Sequence, residues 1–138
     1  METKTPTKTK EAFNSQLLIK HILAQSLRYG PTNEIVYRDI NRYNYLELNI
    51  RVRKLANALQ KLGVKAGDVV GIMDYDSHRY LECYFAIPMM GAVLHNVNYR
   101  LSPDQSLFMI NKSDDKVIIV HEDFIPLLVE IKDKFTSK

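Results

Sequence analysis

A chain of 138 residues, 46% apolar and 25% charged, has the make-up of a packed globular protein and the length of one domain or part of a larger one. Its net charge of +3 is concentrated at the start, where Lys4, Lys8 and Lys10 outnumber Glu2, so the body lacks the basic patch that nucleic-acid binding needs. The single cysteine, Cys83, excludes an internal disulfide and a Cys-x-x-Cys zinc site, and no apolar run is long enough for a signal peptide or a bilayer span. A cytoplasmic protein with no nucleic-acid partner and no transmembrane segment is therefore expected.

Residues 1–13, rich in Thr and Lys, read as a disordered basic leader before a folded region over residues 14–138. From Gln16 to Tyr29, Leu17, Leu18, His21, Ile22, Ala24 and Leu27 fall near helical spacing, and Gly30-Pro31 stops the helix. "EIVYRDINRYNY" predicts a short hairpin turning around Asp39 to Asn41. Asn44 and Glu47 have the spacing of a capping box, in which each side chain satisfies a free backbone donor at the helix start. The helix behind them carries Leu48, Val52, Leu55, Leu59 and Leu62 as one apolar stripe, with Gly63 as its stop.

An alternation follows. Short apolar strands are predicted at 68–73 ("DVVGIM"), 92–97 ("AVLHNV") and 116–120 ("KVIIV"), each followed by a helix, at 77–90, 102–112 and 123–135. Strands apolar on both faces, alternating with amphipathic helices, indicate an α/β fold: a parallel sheet flanked by helices, preceded by an N-terminal helix and a short hairpin. Ser102-Pro103-Asp104-Gln105 begins its helix with a cap, a proline at the first position and Gln at the third. Local chemistry thus accounts for the helix start, but not for "HNVNYR" just before it.

None of the five glycines, at 30, 63, 67, 71 and 91, falls into G-x-G-x-x-G or G-x-x-x-x-G-K, so no phosphate cradle is present. "DYDSHR" (Asp74 to Arg79) places two carboxylates and a histidine at a strand's carboxyl end. It reads either as an acid–base, metal or phosphoacceptor cluster, or as a cap in which Asp76 or Ser77 starts the next helix. His21, His78, His95 and His121 lie on separate elements without metal-ligand spacing, and no G-x-S-x-G elbow supports a serine nucleophile. Met89, Met90, Tyr80, Tyr84 and Phe85 suit an acyl pocket or a plain core. From these residues alone no catalytic, cofactor-binding or metal-binding residue is assigned.

The order of the pieces resembles a known family. "YNYLELNIRVRKLANALQKLGVKAGDVVGI" is similar to the first conserved region of the adenylate-forming, AMP-binding superfamily. "DSHRYLECYFAIPMMGAVLHNVNYRLSPDQ" more closely resembles the fatty acyl-CoA synthetases, departing from them at Asn96, where Thr is usual. "INKSDDKVIIVHEDFIPLLVEI" continues the likeness, which runs from about Asn14 to Phe135. The resemblance implies an N-terminal, incomplete part of the adenylate-forming large domain, truncated before the phosphate-loop motif. Such enzymes use ATP, Mg and coenzyme A to convert a carboxylate to an acyl-adenylate and then a thioester. Their phosphate loop, adenine- and ribose-binding segments and catalytic Lys have no counterpart in this chain, so it is expected to be inactive alone and to bind no cofactor by itself. Such a fragment either works with a second chain carrying the rest of the synthetase or is a remnant of a broken gene, with Arg100 either pairing with an acidic group on the rest of the enzyme or solvated. A homodimer is implied as well, because fatty acyl-CoA synthetases dimerise through their N-terminal portions. The alternative is a free-standing dimerisation or interaction module that regulates intact synthetases.

Overall fold

The computed structural model describes residues 16–136, so the basic leader expected at 1–13 lies outside the described residues. Helix α1 (Ile19–Tyr29) buries Leu23 and ends where the Gly30 N–H returns to the Ser26 carbonyl. Strands β1 (Glu34–Tyr37) and β2 (Asn41–Asn44) pair antiparallel. Their turn places both Arg38 and Asp39 in the left-handed region, at φ 49° and 55°, which matches the twist of a tight hairpin. That conformation costs Arg38 free energy, offset by its guanidinium lying 5.3 Å over the Tyr37 ring and 6.0 Å over the Tyr75 ring.

Helix α2 (Tyr45–Lys61) starts where the Asn44 side chain accepts the Glu47 N–H at 3.0 Å, and it buries Leu48, Val52 and Leu59. Leu62 leaves the predicted stripe: it is 66% exposed, because the helix has ended and Gly63, at φ 87°, turns the chain away. The sheet comprises β3 (Val69–Met73), β4 (Val93–Asn96) and β5 (Asp115–Val120), all parallel in the order β4-β3-β5. Helix α3 (His78–Met89) joins β3 to β4, and α4 (Pro103–Ser113) joins β4 to β5. The first connection steps to one side of β3 and the second steps back past it. Right-handed crossovers therefore place α3 and α4 on opposite faces.

The packing follows that logic. On one face Tyr80, Cys83 and Ile87 of α3 cover Val70 and Ile72 of β3, together with Leu59 and Val64 at the end of α2. On the other, Ile110 and Ile131 pack with Met73 and Val97, flanked by Ile118 and Val120. A third cluster of Leu23, Tyr43, Leu48, Val52 and Ala86 fastens α1 and the hairpin onto the outer side of α2 and α3. The full capping box, with reciprocal Ser102 and Gln105 bonds, is found at α4. The last predicted helix, 123–135, divides into a 3-10 turn (Glu122–Phe124), α5 (Ile125–Ile131) and a second 3-10 turn (Lys132–Lys134). Pro126 lies in the first turn of α5, where its missing N–H costs least.

Leu48 and Ile87 are both fully buried, in the outer cluster and in the sheet-facing cluster respectively. Leu48→Ala and Ile87→Ala should each lower the unfolding free energy by about 2–5 kcal/mol in urea titrations followed by circular dichroism. A Leu48→Ala loss well under 1 kcal/mol would show that the outer layer is not packed as described.

Candidate functional site

Open α/β sheets bind ligands outside the carboxyl ends of strands whose outgoing connections leave for opposite faces. Here that point lies between β3 and β5, because β3 leads to α3 while β5 leads to α5, which packs with α4. An open cleft of about 300 Å³ lies there, lined by Ile72, Cys83, Ile119 and Ile125, with Asp74, Arg79, Tyr80, His121 and Glu122 as its polar groups. "DYDSHR" therefore does reach a cleft, but its groups are engaged in starting α3. Ser77 caps the helix by accepting the Tyr80 N–H at 3.2 Å. The buried Asp74 carboxylate accepts the Ser77 hydroxyl at 2.8 Å and the Tyr75 N–H at 2.7 Å, with the Arg79 Nε at 3.8 Å. Asp76 is exposed. Burial pushes the Cys83 thiol up to about 12, so it is no nucleophile at neutral pH. His121 Nδ1 accepts the Asp123 N–H at 3.2 Å, and the Tyr75 hydroxyl donates to the Asp123 carboxylate at 3.1 Å. Among the described residues no three His, Cys, Asp or Glu side chains come together to hold a metal ion.

A second polar group lies within the sheet. Asp115, at the start of β5, has a fully buried carboxylate that takes a hydrogen bond from His95 Nδ1 of β4, 2.8 and 2.9 Å from its two oxygens. The pair passes over Gly71 of the central strand: a Cβ there would lie 2.8 Å from the carboxylate. His95 Nε2 meets the Ser113 hydroxyl at 3.4 Å, which completes a Ser–His–Asp chain by distance. Ser113 is the last residue of α4, however. A helix presents carbonyls at that end, the wrong polarity for stabilising an oxyanion. The chain of bonds is a cross-strand brace, and neither its Asp nor its Gly partner was marked out by local spacing.

"HNVNYR" is explained at the same level. The Tyr80 hydroxyl donates to Asn96 Oδ1 at 3.0 Å and Asn96 Nδ2 donates to the Tyr84 hydroxyl at 3.5 Å, so Asn96 ties the end of β4 to α3. The Asn98 side chain accepts the Arg100 N–H at 3.0 Å and its carbonyl the Leu101 N–H at 3.2 Å, shaping the turn into α4. Arg100 lies over the neighbouring Tyr99 ring at 5.5 Å. Tyr99 in turn stacks on Phe124 at 4.8 Å and meets Tyr75 edge-on at 5.2 Å, so an aromatic group spans the ends of all three strands. Met90 and Tyr80, considered above as pocket or core, belong to the sheet-facing core, and Phe85 packs on the outer cluster; Tyr84 and Met89 are each 41% exposed.

Burial holds the Asp115 carboxyl above its ordinary range even though His95 pulls it down. His95→Ala would leave the carboxylate buried without its partner, and should cost about 3–5 kcal/mol at pH 7.5. A carboxyl whose folded pKa is raised destabilises once the pH passes its unfolded value near ~4, so the deficit should shrink as the pH is lowered toward that value. Urea titrations of both proteins between pH 4.5 and 7.5 measure this; a deficit that does not change with pH would contradict the brace.

Relatives agree with this architecture. The family described as AMP-binding enzyme matches residues 23–137. The chain is 34% identical over 125 residues to the 3-methylmercaptopropionyl-CoA ligase of Ruegeria lacuscaerulensis, covering 88% of this chain and 23% of that protein. It is 40% identical over 99 residues to the long-chain-fatty-acid–CoA ligase of Thermus thermophilus, covering 72% of this chain and 18% of that protein. The crystal structure of the anthranilate CoA ligase AuaEII in complex with anthranoyl-AMP superposes with a TM-score of 0.80 at 25% identity, over 85% of this chain and 23% of that one. The chain thus spans less than a quarter of the length of these relatives. It belongs to the AMP-binding enzymes and is similar to a fragment of their acyl-CoA ligases.

Proposed function

We propose that this chain supplies the N-terminal portion of the large domain of an ATP-dependent acyl-CoA synthetase and is inactive alone. The observation that carries this reading is the one-sided coverage: 88% of the chain aligns with 23% of a CoA ligase. In the complete enzyme ATP and Mg would activate a carboxylate as its acyl-adenylate, with release of pyrophosphate, and coenzyme A would then take the acyl group. No residue of this chain is assigned a catalytic, cofactor-binding or metal-binding role in those steps. Its proposed part is to hold the sheet ends, the switch-point cleft and the Asn98 turn in place for groups supplied by further polypeptide. By their names the relatives act on 3-methylmercaptopropionate and on long-chain fatty acids, and the proposal leaves acyl choice to the remaining portion of such an enzyme.

Exposed side chains favour a polypeptide partner. Phe108 is 65% exposed on α4, and Val129 and Ile125 are about half exposed on α5. A folded unit leaving such apolar surface in water gains by covering it. The test is ATP–pyrophosphate exchange with medium- and long-chain fatty acids, for the purified chain and for the chain co-expressed with a polypeptide carrying the rest of such a synthetase. Exchange is expected only from the pair. Exchange by the chain alone would overturn the proposal. An inert pair, together with dose-dependent inhibition of an intact synthetase, would establish the regulatory interaction module instead.

A further inference from the structure

The hairpin meets the body of the protein at one buried side chain. His78 opens α3 and is 9% exposed. Its ring lies 5.3 Å from the Tyr37 ring and 6.1 Å, edge-on, from the Tyr43 ring. Its Nε2 is 3.4 Å from the side-chain amide of Asn41, and its carbonyl accepts the Tyr43 hydroxyl at 3.4 Å. Tyr37 and Asn41 close the hairpin from its two strands, with Tyr43 further along β2. The other ring nitrogen, Nδ1, is buried with no hydrogen-bond partner.

The charged groups around this ring are Arg79 and Glu82 of α3, Arg51 of α2, Asp74 at the end of β3, and Arg38 of the hairpin, which lies over Tyr37. The anions are already engaged. Glu82 binds Arg51 at 2.6 Å, and Asp74 accepts the Ser77 hydroxyl and the Tyr75 N–H. The neutral ring is the less costly one here: Nε2 accepts from the side-chain amide of Asn41, which leaves the single ring proton on the unpartnered Nδ1, and a second proton would have to sit on Nε2, facing that amide nitrogen. A protonated ring would put a second N–H and a positive charge where no acceptor waits, beside two arginines and at the positive end of the α3 dipole.

We propose that His78 is an acid-sensitive latch that, when neutral, holds the β1–β2 hairpin on the first turn of α3 and, when protonated, releases it. The hairpin is the part that yields, because a two-stranded ribbon is not stable without a surface to pack on. The three-stranded sheet has its own clusters on both faces. Release also reaches the candidate site. Arg38 would leave the Tyr75 ring, and Tyr75 is packed against Tyr99, His121 and Phe124 across the strand ends. Burial first, then Arg79, lowers the affinity of the ring for a proton. A base whose folded pKa is depressed gives its full stabilisation above the unfolded value near ~6.5 and loses it as the pH falls through the lower folded value.

Hydrogen exchange read by mass spectrometry on the full chain between pH 7.5 and 5 tests the latch, after correction for the intrinsic pH dependence of exchange. Hairpin peptides covering residues 34–44 should lose protection severalfold relative to the β3 peptide as the pH falls. His78→Gln, which has no titrating group, should remove that pH dependence. Constant hairpin protection in the wild-type chain, or an equal loss in His78→Gln, would overturn the proposal. If His78→Gln does not fold, NMR titration of the wild-type ring decides. A shared midpoint for the His78 ring and the hairpin amides supports the latch, and a ring that titrates while those amides stay unmoved rejects it.

Discussion

One buried hydrogen bond links the three strands of the sheet. Asp115 of β5 and His95 of β4 meet above β3, which lies between them and contributes only Gly71 at the crossing. A parallel sheet has no hairpins to set its register, so each strand arrives separately after a helical crossover. A hydrogen bond that forms only when both edge strands are in place adds a polar register mark to otherwise apolar packing. Its cost is a carboxylate removed from water, and Gly71 is the residue that leaves room for it. The irregularity in the β3–β5 pairing falls between Val69 and Val70, where Asp115 enters the strand.

Beyond this brace, the carboxyl ends of the strands carry the turns and the cleft of the candidate site. At the carboxyl ends, short polar turns replace long loops: Ser77 with Asp74, Asn98, and His121 with Asp123 each satisfy backbone donors within a few residues. Tyr75, Tyr99 and Phe124 pack above those turns and join them into one surface. The chain spans less than a quarter of the length of its relatives, and the proposed role of this surface is to position groups from further polypeptide.

The outer layer is held differently. Helix α1 and the hairpin pack on α2 and α3, and their cluster depends on Leu23, Tyr43 and Leu48 rather than on strand pairing. His78 joins the hairpin to the start of α3, beside Arg79 and Tyr80 of the candidate cleft. Coupling between layer and cleft would run through Arg38, whose left-handed backbone holds its guanidinium between Tyr37 and Tyr75.

Most of the element order could be read along the chain, because it rests on local rules. The stripe Leu48, Val52 and Leu59 has helical period, Ser102 to Gln105 contains its own cap, and "VVGIM" is apolar on both faces as a doubly covered strand must be. The reading missed two local breaks and three residues whose partners lie far away in sequence. Leu62 continues the helical spacing yet faces solvent because Gly63 redirects the chain. The terminal helix broke around Pro126 and its flanking turns. Asp115 fell between a predicted helix and a predicted strand, Gly71 lay inside a predicted strand, and His78 was read within the DYDSHR group. Their roles depend on contacts between residues 20 to 44 positions apart, a separation at which spacing along the chain carries no information. Periodicity and capping chemistry are properties of adjacent residues, so the sequence by itself determined the helices, the strands and the α/β class. Which strand lies in the middle, which carboxylate crosses it and which histidine is shut away from water were decided only when the crossovers brought distant segments together, because burial and partner geometry exist only in the folded chain.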